Sequence, residues 1–371
     1  MSEKACIVYH DMVTAYGHGA ACCLAGLFEN RSCFSSITRF RTDAETPFRA
    51  ACFSEELFPG KEDDHIAERA IGCLLEEMMR KEIFISENAM IFFALTQGEI
   101  SELHNPENIW TAKVLENRIL KRFFPKHRSK IFSASCASGN IALARAAYEI
   151  ESGHAEQVIV IGCDVVSEFT FAGFSSVHAL TSDLCRPYDM AHDGLLLGDA
   201  AGVMVLTSEK KAREKDCHIQ AVIAGYGITT DAYHAAAPDP QGRQMARAVQ
   251  KVIDQYPENR IAGVIGHGTG TKLNDDMEIA ALNSIFPHGM PLASIKGGTG
   301  HILAASGIIQ ASCAIGCLRQ AQLFPQTALT VPQPGAEKFV SDKCQRLDGN
   351  TILSLNAGFG GLNAVLGIRR Y

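Results

Sequence analysis

Short, almost purely apolar runs alternate along this chain with longer stretches in which apolar residues recur at helical spacing. Read as strands, the runs in the first half are Cys6–Tyr9, Met90–Leu95, Lys130–Ala134, Val158–Cys163 and Gly202–Thr207. The second half has Ile219–Ala224, Gly263–Gly266, Leu292–Ile295, Ile352–Leu355 and Ala364–Ile368. Several, such as Val158–Cys163, carry no charged position, as expected of strands covered on both faces. Short apolar strands separated by helix-length stretches predict an α/β fold.

Part of the pattern repeats. Lys130–Ala134 leads through Cys136 and Gly139 into a helical run from Ala142 to Ile150. Leu292–Ile295 leads through Gly297, Gly298 and His301 into a helical run from Ile308 to Leu318. A glycine-rich turn follows each unit, Gly198-Asp199-Ala200-Ala201-Gly202 in one and Gly358-Phe359-Gly360-Gly361 in the other. The expectation is a duplicated βαβ core in two halves, residues 1–212 and 213–371, that meet near the charged stretch Lys210–Lys215.

Composition narrows the class. A chain of 371 residues with 47% hydrophobic residues can bury a large core. A formal charge of -7 argues against nucleic acid as the main partner. No apolar run reaches the roughly 18 to 20 residues that span a bilayer, so no membrane association is expected. The N-terminus enters a strand-like segment with no signal-peptide pattern, and a cytoplasmic protein is expected. The thirteen cysteines are odd in number and none is spaced C-x-x-C, which predicts reduced thiols, no disulfide framework and no metal site.

Three residues stand apart from that background. Cys136 sits in Ser133-Ala134-Ser135-Cys136-Ala137-Ser138-Gly139, between strand and helix signals. His267 sits in Gly266-His267-Gly268-Thr269-Gly270-Thr271 and His301 in Lys296-Gly297-Gly298-Thr299-Gly300-His301, each after a strand. An arbitrary cysteine here is a small buried hydrophobe, and His178, His192 and His234 are taken as satisfied structural residues. A thiol at a helix start is a different matter, because the helix dipole lowers its pKa and favours the nucleophilic thiolate. Two imidazole N–H donors aimed at one oxygen stabilise an enolate. A thiol and two such imidazoles make and break thioesters by condensation chemistry.

These motifs resemble the β-ketoacyl-acyl-carrier-protein synthases, the elongating Cys-His-His branch of the thiolase-fold condensing enzymes. The resemblance runs almost continuously from about Lys130 to Tyr371. It takes in Cys185-Arg186-Pro187-Tyr188-Asp189, Asp193-Gly194, Gly198-Asp199, both histidine motifs and Gly358-Phe359-Gly360-Gly361. The first 129 residues match less well, and the Gly98–Cys136 interval is shorter than is usual in the family. The implied fold is α/β, a thiolase-like duplicated βαβαβ core layered α/β/α/β/α.

The resemblance implies roles residue by residue. Cys136 carries the acyl group, and His267 and His301 stabilise the enolate formed when a malonyl-acyl-carrier-protein loses carbon dioxide. Lys296 orients or polarises His301, and Glu278 pairs with Lys296. Gln310 stands where the family commonly has glutamate, leaving Lys296 with fewer partners. Thr269 and Thr271 hold the phosphopantetheine arm. The N–H groups of Cys136 and Phe359 form the acyl oxyanion hole, and Phe359 gates the acyl pocket. Ala357 stands where the family often has an aromatic residue. Phe169, Phe171 and Phe174 fall where the family builds its acyl pocket and dimer contact, with Phe174 taken as substrate-binding.

The implied partner is an acyl carrier protein, with a basic run (Arg118, Lys121, Arg122, Lys126, Arg128, Lys130) to attract it. A homodimer is implied, with a heterodimer containing a related subunit as the alternative. No cofactor is implied beyond the phosphopantetheine that arrives on the carrier, in fatty-acid or specialised polyketide or polyene synthesis. Non-catalytic partner subunits that set chain length lack the cysteine, which this chain keeps. A degradative thiolase would need a second cysteine in a C-x-G motif near its end, and none follows Cys344.

Overall fold

Residue alternation along the strands builds the layers. In the strand Gln157–Asp164, Val158 and Val160 enter one apolar cluster while Ile159 and Ile161 enter another on the opposite face. The computed structural model describes residues 3–41, 48–54, 57–58, 65–96, 98–100, 109–256 and 258–371. Residues 101–108 of the short Gly98–Cys136 interval lie outside them.

The first half contains β1 (Ala5–Thr14), α1 (Ala20–Phe28), α2 (Ile66–Arg80), β2 (Met90–Ala94), α3 (Ala112–Phe123) and β3 (Arg128–Phe132). It continues with α4 (Ser138–Glu151), β4 (Gln157–Asp164), α5 (Glu168–Ser176), β5 (Ala200–Ser208) and α6 (Glu209–Glu214). The second half contains β6 (Ala221–Thr230), α7 (Arg243–Gln255), β7 (Ile261–Ile265), α8 (Lys272–Ile285) and β8 (Leu292–Ala293). The single turn α9 (Lys296–Thr299), then α10 (Ser306–Gln320), β9 (Thr351–Gly358) and β10 (Leu362–Arg369), complete it.

All ten apolar runs become strands of one sheet, in the order β8-β7-β9-β10-β6-β1-β5-β4-β2-β3. Numbered within its own half, each set of five has the order 3-2-4-5-1, with the fifth strand running antiparallel to the other four. The halves join where β1 pairs antiparallel with β6, through Cys6 opposite Val222 and Ile7 opposite Ala221. Helices α2 and α3 cover the outer face of the first half, and α7 and α8 that of the second. Between the halves α4 and α10 pack on each other and on strands of both, giving the five α/β/α/β/α layers. Among the described residues no helix is long and apolar enough to cross a membrane. Among the described residues the cysteines form no disulfide.

The central helices meet backbone to backbone. A Cβ on Gly139 of α4 would lie 2.6 Å from the Ala304 carbonyl oxygen and 2.9 Å from the Gly307 nitrogen. A Cβ on Gly307 of α10 would collide with the Asn140 amide. Beside this crossing Asn140 donates to the carbonyls of Ser354 and Ala364 at 3.0 and 3.1 Å, tying α4 to the strands of the other half. Gln310 ties α10 likewise: its Nε2 donates to the Gly266 and Leu355 carbonyls at 2.8 and 3.4 Å. Its Oε1 accepts from Ser354 and Asn356 at 3.1 and 2.7 Å.

Two outcomes follow for stability. Gly307→Ala should lower the urea-unfolding free energy by about 1–3 kcal/mol, because the added methyl forces the central helices apart. Gln310→Glu should cost about 1–3 kcal/mol as well, since a carboxylate cannot donate to the buried Gly266 and Leu355 carbonyls. An unchanged denaturation midpoint in either variant would contradict the role given to that residue.

Candidate functional site

A strained turn presents Cys136. After β3 the chain turns through Ser135, a non-glycine residue held at φ 50°, and delivers Cys136 just ahead of α4. The Ser138 hydroxyl locks the turn by accepting from the Ala134 N–H at 2.8 Å and donating to the Ser135 carbonyl at 2.6 Å. The Gly358 backbone passes so close that a Cβ there would lie 3.5 Å from the Cys136 nitrogen.

The His267 loop hangs on two buried carboxylates of α8. Glu278 accepts from the N–H groups of His267 and Gly268 at 2.6 and 2.8 Å, and from the Tyr188 hydroxyl at 3.0 Å. Asp275 accepts from the N–H groups of Thr269 and Tyr188 at 3.0 and 2.8 Å. Tyr188 is itself buried, and a Cβ at Gly266 would strike its hydroxyl, which explains the glycine ahead of the histidine. His301 is held from the first half: its N–H donates to the Leu196 carbonyl and its carbonyl accepts from the Gly198 N–H at 3.1 Å. Asp164, at the end of β4, accepts from the Ala304 N–H at 2.7 Å and the Thr96 hydroxyl at 2.6 Å, fixing the turn beyond His301.

Cys136, His267, His301, Thr269, Thr271, Phe174 and Phe359 all line one cavity of about 470 Å³. The two imidazole rings lie 5.4 Å apart and nearly perpendicular. Phe174 bridges the apolar side, 6.0 Å from His301 and 5.7 Å from Phe359, whose ring is half-exposed at the rim. The hydroxyls of Thr269 and Thr271 are 2.8 Å apart. Lys296, Glu278 and Gln310 are buried behind this lining.

The supporting groups are wired differently from the sequence-based expectation. Lys296 Nζ meets Nδ1 of His267 at 3.1 Å and also the His267 carbonyl, so it serves His267 and not His301. The Nδ1 of His301 instead accepts the Leu303 N–H at 3.2 Å. Glu278 spends its oxygens on the His267 loop and Tyr188, and among the described residues it forms no ion pair with Lys296. Gln310 serves carbonyls of β9 and Gly266, so its amide is a tie across the core rather than a vacancy beside Lys296.

Burial decides the charges. It pushes Lys296 down to about 8. It also holds His267 and His301 well below the ordinary imidazole value, aided by the Lys296 charge, so both rings are neutral. With each Nδ1 occupied as an acceptor, the remaining proton sits on Nε2 of both rings. Burial pushes the Cys136 thiol up to about 12, against the direction expected from the helix start, with Lys296 pulling the other way. It raises Glu278 and Asp164 to about 7 each.

Three further expectations change. His178 and His234 line the cavity, whereas His192 is a part-buried partner of Asp275 at 3.4 Å. In the basic run, Arg118 binds Glu68, Arg122 binds Glu76 and Lys130 binds Glu149, and none of the six lines the cavity. Of the three aromatics, Phe169 is exposed and Phe171 packs between Phe40 and Phe48, leaving Phe174 at the cavity. The sequence reading missed Tyr188, Asp275 and Asp164 as supports. Tyr188 lies inside a motif already noted, but nothing local indicates that its hydroxyl reaches Glu278.

Known proteins resemble this chain in sequence and in fold. The N-terminal domain model of the beta-ketoacyl synthases matches residues 100–212, and their C-terminal domain model matches residues 220–330. A 3-oxoacyl-[acyl-carrier-protein] synthase 2 of Staphylococcus aureus (strain COL) is 31% identical over 249 residues, 64% of this chain and 60% of that protein. A putative mitochondrial 3-oxoacyl-[acyl-carrier-protein] synthase of Schizosaccharomyces pombe is 30% identical over 258 residues, 64% of this chain and 61% of that protein. The matched region thus spans less than two thirds of these relatives' length. The ishigamide ketosynthase/chain length factor superposes with a TM-score of 0.90 at 23% identity, each chain covered in full. A beta-ketoacyl synthase from Burkholderia phymatum STM815 does so with 0.87 at 23% identity, again over both whole chains. The two domain models, flanking the junction of the duplicated halves and together covering more than half the chain, place it in the beta-ketoacyl synthase family.

Proposed function

We propose that this chain is an acyltransferase that performs a decarboxylative Claisen condensation. Cys136 attacks an acyl thioester on a carrier protein, a new C–S bond forms, and the carrier thiol leaves with the proton. A malonyl thioester then binds, its C–CO₂ bond breaks, and the electron pair becomes an enolate on the thioester. The enolate carbon attacks the acyl-cysteine, the C–S bond to Cys136 breaks, and a β-ketoacyl product two carbons longer departs. Splitting the reaction in this way is covalent catalysis.

The observation that carries this reading is the pair of neutral imidazoles beside one thiol, each with Nδ1 occupied and Nε2–H left for the cavity. Donors held in place before charge develops on the enolate oxygen are worth more than donors that must reorganise. Thr269 and Thr271 would hold the phosphopantetheine arm, and the N–H groups of Cys136 and Phe359 the acyl oxyanion. The raised thiol value implies that Cys136 rests protonated and gives up its proton as the thioester is attacked. The reading needs no resident cofactor, and it carries with it an acyl carrier partner, a cytoplasmic setting and a dimer.

A heterodimer is the second reading. It is favoured by the whole-length likeness to a structure named for a ketosynthase and its chain length factor. In such a pair this chain would be the catalytic member, since it keeps Cys136, His267 and His301. Turnover that appears only after a related subunit is added would select this reading over the homodimer.

Intact-protein mass spectrometry with acyl-pantetheine thioesters tests the first step, and the acyl mass gain should vanish in Cys136→Ala. His267→Ala and His301→Ala should still load the acyl group but lose about 10²–10³-fold in condensation rate. Undiminished condensation in either variant would contradict the enolate role. The decarboxylation step should slow as pH rises through about 8, because Lys296 then loses the proton it donates towards His267 Nδ1. Alkylation of Cys136, followed by peptide mapping, should instead accelerate with pH across the same range. A decarboxylation rate that stays flat from pH 7 to 9 would remove Lys296 from that role.

A further inference from the structure

Among the described residues, Tyr188 is the largest side chain that is fully buried, and its backbone stands at φ 61°, which bulky residues avoid. Strain of this kind persists only where the surroundings enforce it. Here both backbone groups are tied: the N–H donates to Asp275 and the carbonyl accepts from the Gln333 N–H, each at 2.8 Å. The ring runs under the His267 loop, and a Cβ on either glycine flanking His267 would collide with its hydroxyl. Packing alone does not explain that hydroxyl. A phenylalanine would fill the same space, and a buried hydroxyl costs free energy unless it is bonded. Its partner is Glu278, at 3.0 Å.

The charge on Glu278 at neutral pH depends on each donor that it keeps. Burial raises it to about 7 and Asp275 pushes the same way, against the N–H groups of Gly268 and His267 and the Lys296 charge. The Tyr188 hydroxyl is a further donor, and a hydrogen bond to the charged form favours ionisation. That donor does not titrate away, because burial, with Glu278 and Asp275 beside it, holds Tyr188 well above the ordinary phenol value. The contact from Asn274 is longer, at 3.4 Å.

The Glu278 charge is felt at Lys296. Burial lowers the lysine to about 8, and Glu278 leads the groups that resist this, followed by Cys136, Cys185 and Asp275. Burial pushes both thiols up to about 12, so they stay neutral between pH 7 and 9. The imidazoles of His267 and His301 are neutral as well. Of these groups, the two acids of α8 are left to hold the proton on Lys296.

We propose that Tyr188 is a positioning residue for decarboxylation: its hydroxyl pins Glu278 as an anion beneath the His267 loop, and that anion keeps the proton that Lys296 directs at His267. This rests on the condensing role proposed above. The hydroxyl has a part in the second half-reaction and none in the loading of Cys136.

The test compares the full chain with Tyr188→Phe, which keeps the ring, in two assays. Intact-protein mass spectrometry follows Cys136 loading from an acyl-pantetheine thioester, and carbon dioxide release from malonyl-pantetheine is followed from pH 6 to 9. Loading in the variant should match the wild type, which also shows that it has folded. Its alkaline limb of decarboxylation should move down by about 0.5–1 pH unit, read at pH 9 as a rate lower by about 3–10-fold. No change in either assay, or a slower rate with the limb unmoved, would overturn this inference alone. So would equal losses of loading and decarboxylation, which would mark the hydroxyl as a support of the fold, or a wild-type profile with no alkaline limb. No Cys136-dependent loading in the wild type would overturn the condensing role itself, and this inference with it.

Discussion

The site exists because two helices can touch without side chains between them. At the crossing of α4 and α10, Gly139 and Gly307 bring backbone against backbone deep in the central layer. The cysteine turn precedes one helix and the His301 segment precedes the other, so the crossing draws both to one end of the molecule. Bulkier residues would separate the helices, and the separation would pass to Cys136 and His301 together. Close-packed interiors transmit such shifts instead of absorbing them.

Packing on that crossing dictates the electrostatics. Cys136 stands at a helix start, where the dipole favours a thiolate by roughly 0.3–1 kcal/mol. Burial acts the other way, and the rise from 9.0 to about 12 corresponds to about 4 kcal/mol. The larger effect wins in the resting protein. The same burial keeps His267 and His301 neutral, which suits them to donate hydrogen bonds and not to accept protons. Lys296 is the buried cation that touches His267, and its ammonium is already weakened to about 8.

The buried acids have a mechanical part. Glu278, Asp275 and Asp164 accept backbone N–H groups from the segments that carry or follow the histidines. A buried carboxylate without donors would be costly, and a loop without acceptors would leave orphaned N–H groups. Each requirement answers the other, so the loops hold one shape. Gln310 does the same for carbonyls, which is why an amide rather than a carboxylate suits its position.

The ten strands, the duplication and the grouping of Cys136, His267 and His301 were legible in the sequence. Apolar runs, glycine spacing and the turn signals around Cys136, His267 and His301 are local properties that folding keeps. Strand ends were less legible: the run predicted to Ala134 stops at Phe132, because the Ser138 hydroxyl captures the Ala134 amide into a turn. Which group touches which came from the packing of the layers. Lys296 lies near His301 in sequence yet bonds to His267, since the α9 turn carries the lysine away from its neighbour and under the other loop. Tyr188 reaches Glu278 across 90 positions of sequence. The burial that overrides the helix dipole at Cys136 comes from both halves at once. Pair distances and desolvation depend on how the layers close, and no local pattern encodes them.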